Sequence, residues 1–337
     1  MVKFFCALAL SLLFALPVDS VQAATTMRKI IVAYAAMNAR VAPLWVARER
    51  GFFIKYGFDG ETLFIRGAPT LVAGLTSGDI DVGYTGGTAV IGAAAGGSDL
   101  KILAALTNRV TYDLVVRPGI KTPEDLRGKT FGVQSIGGTV WMGAILGLEH
   151  LGLDPDRDKI SIIVAGDQTV LAQAVATGTI DATVLDGVQS RRLQANGFPI
   201  LAELNKANLP ILSTGIVARE PYIQKNPQIV EGVLKAVIEG MAFSLSPGQK
   251  QNTLKIIQKY LKVDVQAAEE GYKDMVIGFD RKPYASPEAV VNIIRLMKTR
   301  NPKVAKIRPE EVIDDRILRK LDESGFIDEV YARYGVK

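Results

Sequence analysis

The sequence predicts an α/β protein built from two similar lobes. The main evidence is an internal repeat, in which segment 71–87 returns one hundred residues later as segment 171–187. Leu, Gly, Ile, Asp and Gly recur at matching places in both copies. In each copy a helical pattern ends at a glycine, which can take the left-handed turn of a helix stop, and an Ile-Asp pair then opens a short apolar strand. A repeat of this length indicates two lobes of the same architecture.

The elements upstream of the repeated segment also recur in the same order. A first strand at 29–34 matches one at 129–134, and each is followed by a helical pattern. A second strand comes next, at 62–66 in one copy and 160–165 in the other. Each half of the repeat is therefore predicted to be a β-α-β-α-β unit.

The segments outside the two units also have regular patterns. An alternating strand at 111–116 precedes the second unit, and an apolar strand at 213–218 follows it. The latter could return the chain to the first lobe. From Asn226 onward, the spacing of apolar residues predicts helices.

Length and composition exclude several classes of function. The 337 residues suffice for two domains. The net charge is +5, and the positive residues are scattered without a long Lys/Arg run, so we expect no nucleic-acid partner. Cys6 is the one cysteine and His150 the one histidine. Because Cys6 lies in the first 23 residues, which we expect to be removed, the mature chain would have no cysteine, and we expect no disulfide and no thiol nucleophile. With a single histidine, we also expect no metal site and no cofactor.

The first 23 residues have the pattern of a secretory signal peptide. Lys3 is followed by a short apolar run, and small residues stand at positions 21 and 23. We expect cleavage near Ala23 and a periplasmic protein; the alternative is an uncleaved anchor.

Two loops between a strand and a helix carry the clearest ligand-binding pattern. Segments 85–88 and 135–139 each combine hydroxyl side chains with a glycine pair. In open α/β sheets, ligands gather at the edge where strands run into helices, and the free N–H groups of a helix start suit an anion. The alternative is that these glycines only make tight turns. Neither loop matches a phosphate-binding P-loop.

Longer motifs resemble a known family. Segments 42–53, 57–58, 75–83, 123–129 and 178–182 are similar to the nitrate/sulfonate/taurine family of periplasmic solute-binding proteins of ABC importers. The resemblance covers about residues 30–227. It implies the type II periplasmic-binding-protein fold, an α/β fold whose two lobes enclose a cleft and are joined by two hinge crossings.

The same resemblance implies where the lobes and crossings lie. We place the crossings near Thr111–Val116 and Thr214–Ala218. The first lobe would then hold residues 24–112 and 216–337, with the C-terminal helices, and the second lobe residues 113–215.

The resemblance also suggests which residues meet the ligand. We expect the ligand-binding residues to be Asn38, Pro69, Thr85, Gly86, Thr88, Asn108, Ser135, Gly137, Gly138, Thr139 and Asp186. Asp81 and Asp181 also belong to the motif, but each begins a strand, so we expect them to form structural hydrogen bonds.

The predicted function is capture of a small, anionic organic solute, such as a sulfonate, nitrate or taurine, for an ABC importer by hinge closure. A buried Asp186 would instead favour an amine or a hydrogen-bonding heterocycle, so a zwitterionic or pyrimidine-like ligand stays open. The predicted partners are this small-molecule ligand and a membrane permease, and the protein is expected to be a monomer.

Two alternatives to this function share the same fold. One is an enzyme, and the other is a ligand-sensing partner of a membrane receptor. Sulfinate desulfinases resemble this family but need a cysteine, and the mature chain after cleavage near Ala23 would have none. The family's pyrimidine-precursor synthases carry a Cys/His-rich motif, which is also absent here. An enzyme with this fold would therefore be a carboxylate-dependent lyase. Because we expect a binding protein and not an enzyme, we predict no catalytic residues.

Overall fold

The computed structural model describes residues 27–336, so the predicted signal peptide and its cleavage site lie outside the described residues. Within this range ten strands form two five-stranded sheets. The strands are β1 Lys29–Tyr34, β2 Asp59–Phe64, β3 Val82–Thr85, β4 Leu100–Arg109, β5 Asp113–Val116, β6 Thr130–Val133, β7 Ser161–Val164, β8 Ala182–Leu185, β9 Ile200–Glu203 and β10 Pro210–Arg219.

Helices cover both faces of the sheets and make up most of the C-terminal third of the described chain. They are α1 Ala42–Glu49, α2 Phe52–Lys55, α3 Ala68–Ser77, α4 Gly87–Ala94, α5 Thr139–His150, α6 Gln168–Thr177, α7 Gly187–Ala195, α8 Glu220–Lys225, α9 Pro227–Leu245, α10 Lys250–Leu261, α11 Val265–Gly278, α12 Pro287–Met297, α13 Pro309–Val312, α14 Arg316–Glu323 and α15 Phe326–Arg333. None of the helices of residues 27–336 has both the length and the hydropathy needed to cross a membrane.

The two sheets have the same strand plan. Their orders are β2-β1-β3-β10-β4 and β7-β6-β8-β5-β9. In each sheet three parallel strands come from one copy of the repeat, and an antiparallel fourth strand, β10 or β5, pairs with β3 or β8. We call the first sheet with its helices the first lobe and the second sheet with its helices the second lobe. The predicted two-lobed α/β fold is confirmed.

The second hinge crossing lies earlier in the chain than the sequence suggested. Strand β10 pairs with β4 from Pro210 onward, so residues 214–218 lie inside the first sheet. The chain therefore returns between the end of β9 and Pro210. The first crossing lies between Arg109 and Asp113, at the start of the predicted segment. The apolar pattern predicts a strand at 213–218, but the sheet that it joins depends on pairing with β3 and β4.

The repeated motif has the same structural role in both lobes. Gly78 and Gly178 end α3 and α6 with φ angles of +89° and +79°, which a side chain would strain. The Asp81 carboxylate accepts the Ile31 N–H at 2.8 Å, and the Asp181 carboxylate accepts the N–H that opens β6 at 2.9 Å. These bonds tie the first and third strands of each unit together, which confirms the predicted structural role of the two aspartates.

Candidate functional site

A cavity of about 550 Å³ lies between the two lobes. Its walls are the loops that follow β1, β2 and β3 in the first lobe and β6, β7 and β8 in the second. Because all six strands run into these loops at their carboxyl ends, the cavity occupies the edge at which α/β sheets bind ligands.

Seven of the eleven predicted ligand-binding residues line this cavity. They are Asn38, Thr85, Gly86, Ser135, Gly138, Thr139 and Asp186. The other four, Pro69, Thr88, Asn108 and Gly137, are not among the lining residues. The Thr85 and Ser135 loops therefore face one shared space, as expected of loops at the ligand-binding edges of the two lobes.

Each of the four remaining residues has a different position. Pro69 is exposed in the first turn of α3, whereas its neighbour Ala68 lines the cavity. Thr88 is 1% exposed inside the first lobe, and its hydroxyl has no hydrogen-bond partner among the described residues. Gly137 has a φ of +76° and shapes its loop without lining the cavity.

Asn108 braces the C-terminal segment instead of facing the cavity. Its amide nitrogen donates to the Asp280 carboxylate at 3.0 Å and to the Tyr284 carbonyl at 2.9 Å. Its amide oxygen accepts the Ser286 N–H at 2.9 Å. With these bonds made, the side chain holds residues 280–286 against the end of β4.

Helices α4 and α5 both begin at the cavity without a side-chain cap. The N-cap residues of α4 and α5 are Gly86 and Gly138, and neither has a side chain that accepts the free N–H groups. The two helix starts are close together, since a Cβ atom added to Gly86 would lie 2.4 Å from the Thr139 hydroxyl oxygen. Free N–H groups and the helix dipole make such a corner favourable for a negatively charged group.

Helices α6 and α7 also begin at the cavity, and each of them is capped by an acid. Asp167 accepts the Val170 N–H of α6 at 3.2 Å, and Asp186 accepts the Gln189 N–H of α7 at 3.3 Å. The Gln168 side chain accepts the backbone N–H of Asp186 at 2.9 Å, which fixes this residue at the cavity wall. Burial raises the pKa of the Asp186 carboxyl above its usual range, and the charge of Arg40 acts in the opposite direction.

Arg40 is a buried cation that the sequence did not single out. It lies in the short 3-10 helix 39–41 after β1, lines the cavity and is 3% exposed. Its guanidinium lies over the Tyr112 ring at 4.8 Å and donates to the Thr111 carbonyl at 3.4 Å. The Tyr84 hydroxyl donates to the Arg40 carbonyl at 2.6 Å. Arg40 thus connects the first lobe to the hinge crossing.

Further lining residues come from parts of the chain with no ligand-binding motif. Tyr260 and Lys262, at the end of α10, line the cavity, and the Tyr260 ring stacks on Trp45 with centroids 4.6 Å apart. Arg40 lies in the loop that follows β1, and the predicted residues also lie in loops that follow strands. The expectation that ligands bind where strands run into helices could therefore have found it. No sequence signal places the end of α10 at the cavity.

Two polar contacts join the lobes beside the cavity. Arg66 forms an ion pair with Asp167 across its mouth. Asp274 of α11, a helix that packs on α10 in the first lobe, accepts the Gly187 N–H at the start of α7.

The carboxyl group of Asp274 has an unusually high pKa. Burial raises the pKa of Asp274 to about 7; the charge of Arg40 opposes this effect, and the charges of Asp186 and Asp113 add to it.

Replacing Asp274 by asparagine should stabilise the protein at pH 8 and leave it unchanged near pH 4. Because the folded-state pKa is above the unfolded value of about 3.9, the stability contribution of Asp274 is fully present below that value and is lost as the pH rises to about 7. Part of the side chain still reaches solvent, so we expect a gain of about 2 kcal/mol at pH 8. Urea unfolding at both pH values measures it.

The exposed Asp156 provides the control for this prediction. The Asp156→Asn variant should follow the wild-type pH profile. If Asp274→Asn were less stable than the wild type at pH 8, the hydrogen bond from Gly187 would outweigh the cost of the buried charge.

Comparison with known proteins places the chain in a family. Residues 38–249 match the family model described as NMT1/THI5 like. Among curated proteins, a binding protein named YtlA from Bacillus subtilis strain 168 is 27% identical over 278 residues, which cover 80% of this chain and 82% of YtlA.

Solved structures share the fold. The periplasmic aliphatic sulphonate binding protein SsuA of Escherichia coli has a TM-score of 0.67 and 19% identity, with 84% of this chain and 95% of SsuA covered. The periplasmic nitrate-binding protein NrtA of Synechocystis PCC 6803 has a TM-score of 0.71 and 16% identity, with 88% and 89% covered. The resemblance inferred from the sequence motifs is thereby confirmed. Because the family model spans well over half of the chain, the protein belongs to the NMT1/THI5-like family.

Proposed function

We propose that this protein captures a small organic solute between its lobes and presents it to an ABC-type membrane permease. The observation that carries this proposal is the cavity of about 550 Å³ whose two walls are equivalent loops of the repeated units. Family membership and the fold shared with SsuA and NrtA support it. The named ligands of those two proteins, aliphatic sulphonates and nitrate, make an anionic group the first choice for part of the solute.

The residues proposed to bind the solute are the seven predicted residues that line the cavity, together with Arg40. The uncapped starts of α4 and α5 would hold its anionic group, with hydroxyl donors from Thr85, Ser135 and Thr139. These donors come from both lobes, so the solute gains its full set of contacts only when the lobes approach each other.

Closure of the lobes about two hinge segments would couple binding to transport. We place these segments at 110–112 and at 207–209, between the strands of the two sheets. A solute stabilises the closed form only by the contacts that it adds there. The ion pair of Arg66 with Asp167 has one largely exposed partner, so it would contribute less than about 1 kcal/mol to closure.

The cellular setting follows from the same proposal. We propose a monomer in the periplasm, exported by the N-terminal segment 1–23 and acting by binding without chemical turnover. A membrane sensor in place of a permease would use the same closure. A permease and an ATPase encoded beside this protein would favour import.

A solute screen tests the proposal. Sulfonates, nitrate, carboxylates, amines and pyrimidines are added singly, and the melting temperature is measured. A true ligand binds the native state and should raise the melting temperature, with a smaller radius of gyration in X-ray scattering at saturation. The absence of a shift and of compaction across the panel would contradict solute capture, and product formation would favour an enzyme.

Two threonines give matched variants for the bound solute. Thr139→Val removes a hydroxyl at the cavity and should weaken binding about fivefold, since a net hydrogen bond contributes about 1 kcal/mol. Thr88→Val removes a buried hydroxyl in α4 of the first lobe, which does not line the cavity, and should leave the affinity unchanged. Equal effects of both changes would contradict the proposed site.

A further inference from the structure

Helix α11 of the first lobe packs directly on the second lobe. It is attached to the first lobe, because Asp280, two residues after its end, donates its N–H to the Leu106 carbonyl of β4 at 3.0 Å. It also packs on α7 of the second lobe. This contact is close, since a Cβ atom added to Gly271 would lie 2.7 Å from Val188 Cγ2. Opening of the lobes about the proposed hinge segments would therefore separate α11 from α7.

Asp274 makes a hydrogen bond across this contact. Its carboxylate, on α11, accepts the Gly187 N–H at the start of α7. Asp274 lines a small recess together with Asp186 of the second lobe and Arg40 of the first. Closure of the lobes thus brings an acid of one lobe against an acid of the other, with one cation beside them.

Arg40 is the cation that acts most strongly on Asp274. Three further cations, on other elements that pack against α11, are paired with other acids. They are Arg191 of α7 with Asp113, Lys250 of α10 with Glu269, and Arg109 of β4 with Asp280. Two ionised carboxylates in the recess would therefore share the charge of Arg40, and burying the second of them is costly.

The effects that favour a proton on Asp274 depend on the second lobe. Burial, in part beneath α7, raises the pKa of Asp274 to about 7, and the charges of Asp186 and Asp113 add to this effect. Arg40 lowers the pKa, but it belongs to the first lobe and would stay beside Asp274 on opening. The hydrogen bond from Gly187 also lowers the pKa, by less than either acid raises it. Opening would therefore return the pKa of Asp274 toward the ordinary value of about 3.9.

We propose that closure of the lobes takes up a proton at Asp274, so that a fall in pH favours the closed form. This inference rests on the proposed function, of which closure is a part, and makes the proton a regulator of the site. The proton removes the negative charge that closure would otherwise bury beside Asp186. A protonated carboxyl group still accepts the Gly187 N–H through its carbonyl oxygen, so the contact between the lobes is kept.

The size of the effect follows from linkage between proton binding and closure. Because the closed form has the higher pKa, it holds more protons than the open form at every pH between the two pKa values. With a pKa of about 7 in the closed form and about 3.9 in the open form, the closed-to-open ratio should rise about tenfold from pH 8 to pH 6.

Distances between the lobes test the proposal without a solute. Glu61 and Ser161 are exposed in β2 and β7, the edge strands on the sides of the two sheets away from the hinge segments. Cysteines at these positions carry a donor and an acceptor dye, and single-molecule fluorescence energy transfer counts closed and open molecules at pH 8 and pH 6. Cys6 lies in the segment that we expect to be removed on export, so the secreted protein should have no other thiol.

Variants of single side chains identify the group that takes up the proton. Asp274→Asn is neutral at both pH values and should show the same closed-to-open ratio at each; Asp274→Ser replaces it if it does not fold, as its melting temperature reports. Asp264 is exposed on the same helix and caps it by accepting the Ala267 N–H at 2.8 Å, so Asp264→Asn should keep the tenfold response. His150→Gln removes the one imidazole and should also keep it.

Each result has a distinct meaning. If the ratio is the same at both pH values in the wild type while a solute of the panel still increases energy transfer, proton uptake is overturned and solute capture stays in place. A pH response that persists in Asp274→Asn, and is lost in Asp186→Asn or His150→Gln, would overturn the role of Asp274. If neither pH nor any solute of the panel changes energy transfer, closure itself is contradicted, and both proposals with it.

Discussion

Replacing Gly240 by alanine should lower the free energy of unfolding by about 3 kcal/mol, although alanine is the better helix former. Helix α9 crosses α1 at this glycine. An added Cβ atom would lie 2.2 Å from the Pro43 carbonyl oxygen and 3.0 Å from its carbonyl carbon. Both atoms are backbone, so no side-chain rotation relieves the clash and the two helices must separate. Overpacking of this kind outweighs a gain in helix propensity of about 1 kcal/mol.

The loss should be visible as a lower midpoint in urea unfolding at neutral pH. Because α1 directly follows the turn that positions Arg40, we also expect weaker solute binding. Gly92 in α4 is the matched control, since its added Cβ would meet only the terminal carbon of Met297, at 3.4 Å. Gly92→Ala should be neutral or stabilising by up to about 1 kcal/mol. Equal effects at both glycines would show that the close crossing of α1 and α9 has no energetic role.

Replacing Glu239 by alanine should cost about 3 kcal/mol, because this buried acid connects the last helix, α15, to the end of α2. Glu239 is 1% exposed. Its carboxylate accepts from Lys55 Nζ at 2.6 Å, from the Tyr56 hydroxyl at 2.5 Å, from the Tyr334 hydroxyl at 2.9 Å and from Arg333 at 3.3 Å. Hydrogen bonds to a charged group contribute about 1.5 to 3 kcal/mol, and the variant also leaves a cavity. Urea unfolding measures the loss.

Glu231 on the same helix is the control. It pairs with Lys235 at 2.6 Å and Lys320 at 2.9 Å at a more exposed position, so Glu231→Ala should cost less than about 1 kcal/mol. A similar loss in both variants would mean that α9 responds to any change of charge.

The effect of Glu239 should also depend on pH. Burial alone would raise the pKa of Glu239, but hydrogen bonds from Lys55, Tyr56 and Tyr334 hold it below its usual range. With a lowered folded-state pKa, the stabilisation is present above the unfolded value of about 4.3 and is lost as the pH falls through the folded-state value. The difference between the wild type and Glu239→Ala should therefore shrink below pH 4.

The sequence pattern predicts the site best where the repeat and the backbone define it. Gly86 and Asp186 directly follow the third strand of each unit at equivalent places, Gly138 lies in the loop after β6, and all three line the cavity. Asn108 also stands near a strand end, but the distant segment 280–286 uses its amide. A local pattern does not show which polar side chains are occupied by partners far away in the chain.

From its sequence alone, the protein could be predicted to have two α/β lobes, glycine helix stops, paired aspartates that join strands, and one shared edge for a ligand. These features depend on short-range backbone chemistry, and the sequence pattern that encodes it occurs twice, one hundred residues apart. Only the tertiary structure decided that the strand from Pro210 pairs in the first sheet, that Arg40 lies buried against the crossing, and that the end of α10 lines the cavity. The physical reason is that strand pairing, burial and charge balance depend on contacts between residues far apart in the chain, which no local pattern records.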